Sequence, residues 1–321
     1  MDNQTQVSEF ILLGLSQQPL QRQLLFSLSF ILYLSGCLGN LLTILAIILD
    51  PHLHSPMYFF ISNLSLLDIC FMSTTIPKML VNHLCGLTII SFSACLAQMY
   101  FFIAFGAADS MLLSAMAYDR YLAVCSPLHY VTIMGVLRCA LLVVIPWISA
   151  NLISMVHTLL MSHLSFCTNR IPHFCDLNAL IKLSCSDTQV NEMLVLVLGS
   201  SVVLIPFVCI MASYTPIAVA VWKVPSVQGR WKAFSTCGSH LCVVCLFYGT
   251  IIGVYFNPAS THTTQRDMAA TVMYTVVTPM LNPFIYSLRN RDLKGALKKL
   301  LLSRNPFAPA SLETLFRPNC F

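Results

Sequence analysis

Seven stretches of mostly apolar residues, each about long enough to cross a bilayer as a helix, dominate this chain: roughly 24–49, 57–80, 92–119, 139–160, 192–221, 233–256 and 268–288. A spanning helix needs about 20 such residues. Only 9% of the 321 residues are charged and 57% are hydrophobic, whereas a soluble domain carries about 25% charged residues. There is too little polar surface for water, so lipid must be the solvent for much of the molecule. Pro77, Pro146, Pro206 and Pro279 fall inside these stretches or near their ends, where membrane helices tolerate them. No period-2 alternation runs in ~10-residue units, which argues against a barrel. No internal repeat or low-complexity segment is visible. The expected fold is therefore an all-α membrane protein, a seven-transmembrane bundle over 24–288, with an N-terminal segment 1–23 and a tail 289–321.

Lys and Arg set the orientation. With the N-terminus outside, the inner segments hold Arg120, Arg138, Lys223, Arg230, Lys232, Arg289, Arg291, Lys294, Lys298, Lys299, Arg304 and Arg317. The outer segments hold Arg22, Lys78, Arg170, Lys182 and Arg266, so the bias is twelve against five. The N-terminus has no basic region followed by a short apolar run and a cleavage site, so the first span is expected to be its own insertion signal. Asn3-Gln4-Thr5 is then a glycosylation sequon on the outer side. The same pattern at Asn63 lies inside a span, out of reach of glycosylation. A net charge of +5 is modest, and no nucleic-acid partner is expected.

The outer segments collect Cys95, Cys167, Cys175 and Cys185, in a compartment that permits disulfides. Four cysteines allow three pairings, and spacing alone does not choose among them. Cys85 is a fifth outer cysteine with no evident partner. Cys242 and Cys245 form a CxxC within an apolar helix, where small packing residues are the simpler reading than a metal site.

Charge inside the spans is rare and therefore informative. Asp119 and Arg120 lie at the inner end of the third segment, flanked by Tyr118 and Tyr121 and followed by Pro127, which is expected to end the helix. Asp109 lies about 16 Å further out along the same helix at 1.5 Å per residue. Asp68 comes to a similar depth in the second span, with Asn40 and Asn282 within a turn or two. Two carboxylates facing each other in a membrane interior require a shared proton or a bound cation, so Asp68 and Asp109 are the candidate sodium site, the one cofactor expected. After the last span, "RNRDLKGALKKLL" places Leu293, Leu297, Leu300 and Leu301 on one side and Lys294, Lys298 and Lys299 elsewhere, an amphipathic helix for the inner membrane surface.

Several motifs carry a family resemblance. Gly39-Asn40, "LSLLD" ending at Asp68, "MAYDRY" at 116–121, Ser213-Tyr214 and "NPFIY" at 282–286 resemble the rhodopsin-like G-protein-coupled receptors. "LHSPMYFFISNLSLLD" at 53–68, "MAYDRYLAVCSPLHY" at 116–130, "KAFSTCGSHL" at 232–241 and "TPMLNPFIYSLRN" at 278–290 are similar to the olfactory receptor branch. The resemblance covers nearly the whole chain. It departs in the spacing of Cys167 and Cys175, in Trp222 and Trp231 of the inner segment between spans 5 and 6, and in a long tail.

The resemblance implies a non-enzymatic odorant receptor of the plasma membrane, N-terminus outside and C-terminus inside. It implies a small volatile ligand and a stimulatory G protein that raises cAMP. Asp119, Arg120, Tyr121, Tyr214 and Tyr286 would form the coupling switch. Met99, Phe102, Ile103, Gly106, Ala107, Leu198, Gly199, Val202, Val203, Tyr248, Ile251, Ile252 and Tyr255 would line the ligand site, with Ser110 as a further hydroxyl. Such a lining suits a weakly polar molecule held by shape and one or two hydrogen bonds. The implied disulfides are Cys95–Cys175 and Cys167–Cys185. Asp68 matches the family's sodium-site Asp. Phe102 stands where amine receptors carry an Asp, and Val276 where opsins carry the retinal Lys, so neither a cationic amine nor a Schiff-base chromophore is expected. The rival reading, a transporter or channel, would call for repeated halves or several charges along a path. An intramembrane hydrolase would need a catalytic set that Asp68 and Asp109 do not supply by motif.

Overall fold

The computed structural model describes residues 7–13, 19–86, 88–171, 174–255 and 273–302. Among them, five helices are long and apolar enough to cross a membrane: Leu20–Leu49, Pro56–Leu84, Phe92–Cys125, Val136–Ser162 and Gln189–Trp222. They belong to α1 (Pro19–Leu49), α2 (Pro56–Cys85), α3 (Phe92–Cys125), α5 (Val136–Ser162) and α7 (Gln189–Trp222). The sixth span is α8 (Val227–Tyr255), and the seventh runs through a π-helical turn, Met273–Val277, into α9 (Thr278–Arg289). Short helices α4 (Pro127–Ile133) and α6 (Leu177–Leu183) lie in the connections, and α10 (Arg291–Leu302) follows the last span. The bundle is the expected seven-helix architecture.

Local chemistry explains the boundaries. Ser55 takes the N-cap position of α2 without a side-chain bond, and the boundary is set by Pro56, whose missing N–H costs nothing in a first turn. The helix stops at Gly86, which adopts φ 64°, a conformation that only glycine enters without strain. Ser91 Oγ accepts from Ala94 N at 3.3 Å to open α3. That helix runs on to Cys125 rather than ending near 119, so Asp119 and Arg120 sit within it. Pro127 then opens α4 instead of only closing α3.

The outer end, as named from the charge bias, carries a three-stranded sheet of order β2-β1-β3. Its strands are β1 (Glu9–Leu12), β2 (Ile89–Ser91) and β3 (Arg170–Ile171). Strand β1 pairs antiparallel with β2, Phe10 opposite Ile90, and parallel with β3, Ile11 opposite Arg170. Alternation decides its register: Phe10 and Leu12 point inward and are buried with Ile90, Met99, Met161, Phe166, Ile171 and Leu180.

A second, larger apolar core runs from Ala107 of α3 through Leu113 and Met116 to Leu64 of α2, Ile210 of α7 and Phe247 of α8. Spans 1, 2 and 7 approach closely. A Cβ on Gly39 would lie 3.1 Å from Pro283 Cγ, so the glycine lets α1 seat against α9. Large apolar side chains cover the outward faces, among them Leu24, Ile31, Ile148, Leu152, Ile205 and Val208. That is the surface of a membrane helix bundle. Leu293 and Ala296 of α10 are buried and Leu297 and Leu300 pack on the core, but Leu301 is exposed and leaves the expected stripe.

Candidate functional site

Three polar constellations lie at successive depths in this apolar bundle. The innermost is built on α3. Asp119 is fully buried, and its Oδ2 accepts from Arg120 Nε at 3.0 Å and also from the Arg120 terminal amine. Its Oδ1 accepts from the Tyr130 hydroxyl at 2.6 Å. Both carboxylate oxygens are thus engaged, which is the condition for keeping a buried charge. Tyr130 comes from α4, so Pro127 matters for more than ending a helix: it starts the short helix that delivers this hydroxyl. Sequence reasoning missed Tyr130, although it closes the quoted motif. The same burial, followed by the neighbouring Asp119 carboxylate, pushes the phenol's pKa up and keeps it protonated as a donor.

Beside this pair, Tyr214 of α7 meets His240 of α8, a buried histidine that sequence reasoning also missed inside "KAFSTCGSHL". His240 Nε2 lies 3.0 Å from the Leu113 carbonyl and Nδ1 lies 2.8 Å from the Tyr214 hydroxyl. A carbonyl only accepts, so Nε2 carries the proton and Nδ1 accepts from Tyr214. One neutral ring therefore ties spans 3, 5 and 6 together. The Tyr214 and His240 rings are nearly parallel, 5.7 Å apart. Tyr286 is buried near this level with a hydroxyl that finds no partner among the described residues. Tyr121 is half-buried against Tyr118 and makes no hydrogen bond with Asp119.

The middle constellation gathers Asp68, Asp109 and Asn282. Asp68 is fully buried. Asn282 Nδ2 donates to both of its oxygens at 3.0 Å. Asp109 is buried and close enough to interact electrostatically with Asp68. Asp109 Oδ1, Asn282 Oδ1, Asn40 Oδ1 and the Tyr286 hydroxyl are all buried without a hydrogen-bond partner. Of these, Asp109 Oδ1 and Asn282 Oδ1 belong to the carboxylate cluster itself, and orphaned oxygens on an apolar background fit a hard cation or ordered water, which both bind oxygen. Asn40 plays a different part from the one expected. Its amide donates to Gly36 O at 3.0 Å and Pro279 O at 3.2 Å, clasping the backbones of spans 1 and 7.

The outer constellation contains the expected ligand residues, and the structure divides them. Met99 and Ile103 pack into the cluster beneath the sheet. Phe102 lies between Phe71 and Phe174, with ring centroids 5.0 Å from each. Ala107, Val202, Val203, Tyr248 and Ile251 join the larger core around Ser110. There Tyr248 and Ser110 hydroxyls are 3.0 Å apart, and Ser110 donates to Val202 O at 2.9 Å. Gly106, Leu198 and Gly199 are half-buried, and a Cβ on Gly199 would meet open space beside the π-helical turn Val195–Gly199. Ile252 is a correction: it is 56% exposed, one residue past buried Ile251, and therefore points away from the others. The Tyr255 side chain and Asn3 lie outside the described residues, as does the Cys85 side chain. A depression of about 410 Å³ between α2, β2 and α3, with Thr74, Lys78, Gln98 and Phe101 in its wall, shares none of the expected ligand residues.

The structure pairs Cys95 with Cys175 and Cys167 with Cys185, at Cα–Cα distances of 5.4 and 5.5 Å. Gln98 reinforces the first bridge: its Oε1 accepts from Cys175 N at 2.9 Å and its amide donates to Thr74 O at 3.0 Å.

Comparison with known proteins follows the same lines. Residues 28–304 match the olfactory receptor family. Olfactory receptor 1f45 of Rattus norvegicus is 61% identical over 306 residues, covering 95% of this chain and 98% of the relative. Olfactory receptor 1F1 of Homo sapiens is 60% identical over 301 residues, with 93% and 96% covered. Olfactory receptor 1M1 of Mus musculus is 58% identical over 301 residues, with the same coverage.

Proposed function

Because this chain belongs to the olfactory receptor family, we propose that it binds a small, volatile, weakly polar ligand in the outer half of its bundle and activates a stimulatory G protein, raising cAMP. It is a multi-pass membrane protein and not an enzyme. Its N-terminus, with the Asn3 sequon, lies outside the cell and its tail inside. The single observation that carries the reading is the inner polar assembly. Arg120 is held by a carboxylate next to it in the chain, and spans 3, 5 and 6 are joined at the same end by one histidine. The histidine bridge crosses helices, so a modest helix movement breaks it, and a side-chain rotation takes Arg120 off Asp119; neither disturbs the apolar core. An arginine freed from Asp119 presents a forked donor to carbonyls of a docking protein.

In the resting state a cation, or a shared proton, sits between Asp68 and Asp109, with Asn282 Oδ1 and the Tyr286 hydroxyl as further oxygens. Its chemistry there is charge compensation. Anything that binds one state better than another shifts the balance toward it, so sodium is expected to favour rest.

The test is cAMP accumulation in cells exposed to a chemically diverse panel of volatiles. Arg120→Ala, matched for surface level, is the control. Agonist-driven cAMP should disappear in that variant. Undiminished signalling would overturn the assignment of Arg120, and the absence of any responding volatile would overturn the receptor reading itself.

A further inference from the structure

The depression between α2, β2 and α3 lies apart from the expected ligand residues, and it carries a charge. It holds about 410 Å³, with Lys78 of α2 in its wall. The 30 residues of α2 make about 45 Å of helix, close to the full 40–45 Å of a bilayer with its headgroups. Lys78 lies about two turns before the end of that helix at Cys85, hence about 10 Å in. That is near the level where headgroups give way to hydrocarbon. An ammonium at such a depth is costly unless something uses it. Its Nζ donates to Ile89 O of β2 at 2.8 Å, which fixes the charge where β2 crosses the outer end of the depression.

The wall contributed by α3 is small and apolar. Ala94, Ala97 and Phe101 share one face of that helix at helical spacing. All three are exposed, Phe101 by 46%, so the depression opens onto the lipid-facing surface. From Ser91 to Phe101 the helix covers about 15 Å, half of a ~30 Å hydrocarbon core and so the reach of one acyl chain. At the rim, Ser91 Oγ accepts from Ala94 N and lies 3.4 Å from Ser93 Oγ. Two hydroxyls that share one bond keep one proton to give. At the back, the Gln98 carboxamide is committed to Cys175 N and Thr74 O. It shapes the wall without offering a bond, and it ties the wall to the Cys95–Cys175 bridge. A cation and a hydroxyl at headgroup level, above an apolar trough open to lipid, are complementary to an amphiphile with an anionic head. The volume is at the small end of ligand pockets, enough for a small head and one short chain. A two-chain phospholipid would seat only its head.

We propose that this depression is a second, membrane-facing site for a single-chain carboxylate, a medium-chain fatty acid. The carboxylate sits on the Lys78 ammonium with the rim hydroxyl beside it, and the chain lies along Ala94, Ala97 and Phe101. Such a ligand arrives through the bilayer. Through Gln98 it braces the segment that carries Cys175, so its occupancy stabilises the outer end of the bundle.

The test uses the full chain purified in phosphatidylcholine nanodiscs, with radiolabelled decanoate as the probe and decanol as its uncharged competitor. Decanoate should bind saturably and raise the melting temperature, as any ligand of the folded state does. Decanol should compete about tenfold more weakly, and Lys78→Met should weaken decanoate about tenfold, the loss expected for one charge-assisted bond. Lys78→Arg keeps the charge and should retain most of the binding. Ala97→Phe keeps Lys78 but fills the trough, and should abolish binding. Uptake that never saturates, or decanol binding as well as decanoate, overturns the proposal. So does decanoate binding indifferent to Lys78→Met and Ala97→Phe, since it then lies elsewhere. A phospholipid that co-purifies with the parent but not with Lys78→Met, in the absence of decanoate binding, puts a headgroup there and overturns the fatty acid. If Lys78→Met does not fold, Ala97→Phe and Lys78→Arg decide the matter, because Ala97 faces lipid and Arg keeps the charge. The readout is binding, so it stands whether or not any volatile raises cAMP.

Discussion

The two ends of the bundle are held together by different kinds of force. The outer end is fastened by two disulfides, a three-stranded sheet and a dry cluster around Phe10, Met99 and Phe166. The inner end is fastened by an adjacent ion pair, a tyrosine–aspartate bond and a histidine bridging three spans. Covalent and apolar contacts resist small displacements because packed interiors have no slack. Polar contacts at a membrane edge are each worth about 1 kcal/mol net and can be exchanged for water or another protein. A receptor needs both: a receptacle that keeps its shape and an effector end that changes its partners.

The largest effect expected from this contrast follows from cutting the outer fastening. Cys95→Ser should remove about 2–5 kcal/mol of stability and most of the receptor from the cell surface, read by antibody staining of unfixed cells. Normal surface levels would mean that the sheet and the apolar cluster suffice on their own.

The coupling proposed for the middle constellation is open to a direct test. Asp68→Asn and Asp109→Asn should each weaken the sodium dependence of basal and agonist-driven cAMP. The double variant should depart from additivity by roughly 1–2 kcal/mol. Strictly additive effects would show two separate carboxyl groups rather than one site.

At the inner end, Tyr214→Phe removes the proton that His240 accepts, and His240→Phe removes both of its bonds. Each should release span 6 by about 1 kcal/mol and raise basal cAMP severalfold at matched surface level. The pair together should do little more than His240→Phe alone, since both cut one connection. Unchanged basal activity would mean that the bridge does not hold the resting state.

The smallest effect belongs to the first inner turn. Asp50 holds the His52 ring at 2.9 Å and Lys299 of α10 at 3.4 Å. Burial raises its pKa, but the bonds from His52 and the Lys299 ammonium outweigh that and leave it below the ordinary carboxylate range. A depressed carboxylate lends stability above its unfolded pKa and loses it only as pH falls through the folded one. Lys299→Ala should therefore cost about 0–1 kcal/mol at neutral pH, as exposed pairs do. The Asp50 contribution should be lost from thermal stability in detergent only on acidification, below the ordinary Asp pKa of about 3.9. Acid profiles that coincide for Lys299→Ala and the parent would mean that the Lys299 pair adds nothing at this junction.

The helices were legible because lipid leaves a strong imprint on composition: seven apolar runs and a bias of basic residues toward one side. The Asp68–Asp109 neighbourhood was legible as well, because depth along a helix follows from counting residues. Partners that come from elsewhere in the chain were not. Nothing in the spacing of Tyr130 announces that α4 turns its hydroxyl onto Asp119, since that depends on how Pro127 redirects the chain. His240 read as one more letter of a motif, because its bonds cross to α3 and α7. Counting also placed Asn40 with the carboxylates, where the packing of Gly36 and Gly39 sends its amide to backbone instead. Ile252 and Leu301 were misplaced for a related reason: helical phase errors accumulate toward the ends of a segment.

The sheet has one more consequence, for the order of assembly. Strand β1 is synthesised before any span, yet it lies in the centre, between β2 and β3. Its partner β2 follows span 2, and β3 follows span 4. The first strand to emerge therefore waits with both edges open until two helices have been threaded through the membrane, and with one edge open until four have. Unpaired edges invite pairing with other chains. With the N-terminus outside, as proposed, its shielding during that interval falls to the lumen, and the time needed to thread spans 1 to 4 becomes a quality-control window for the whole receptor.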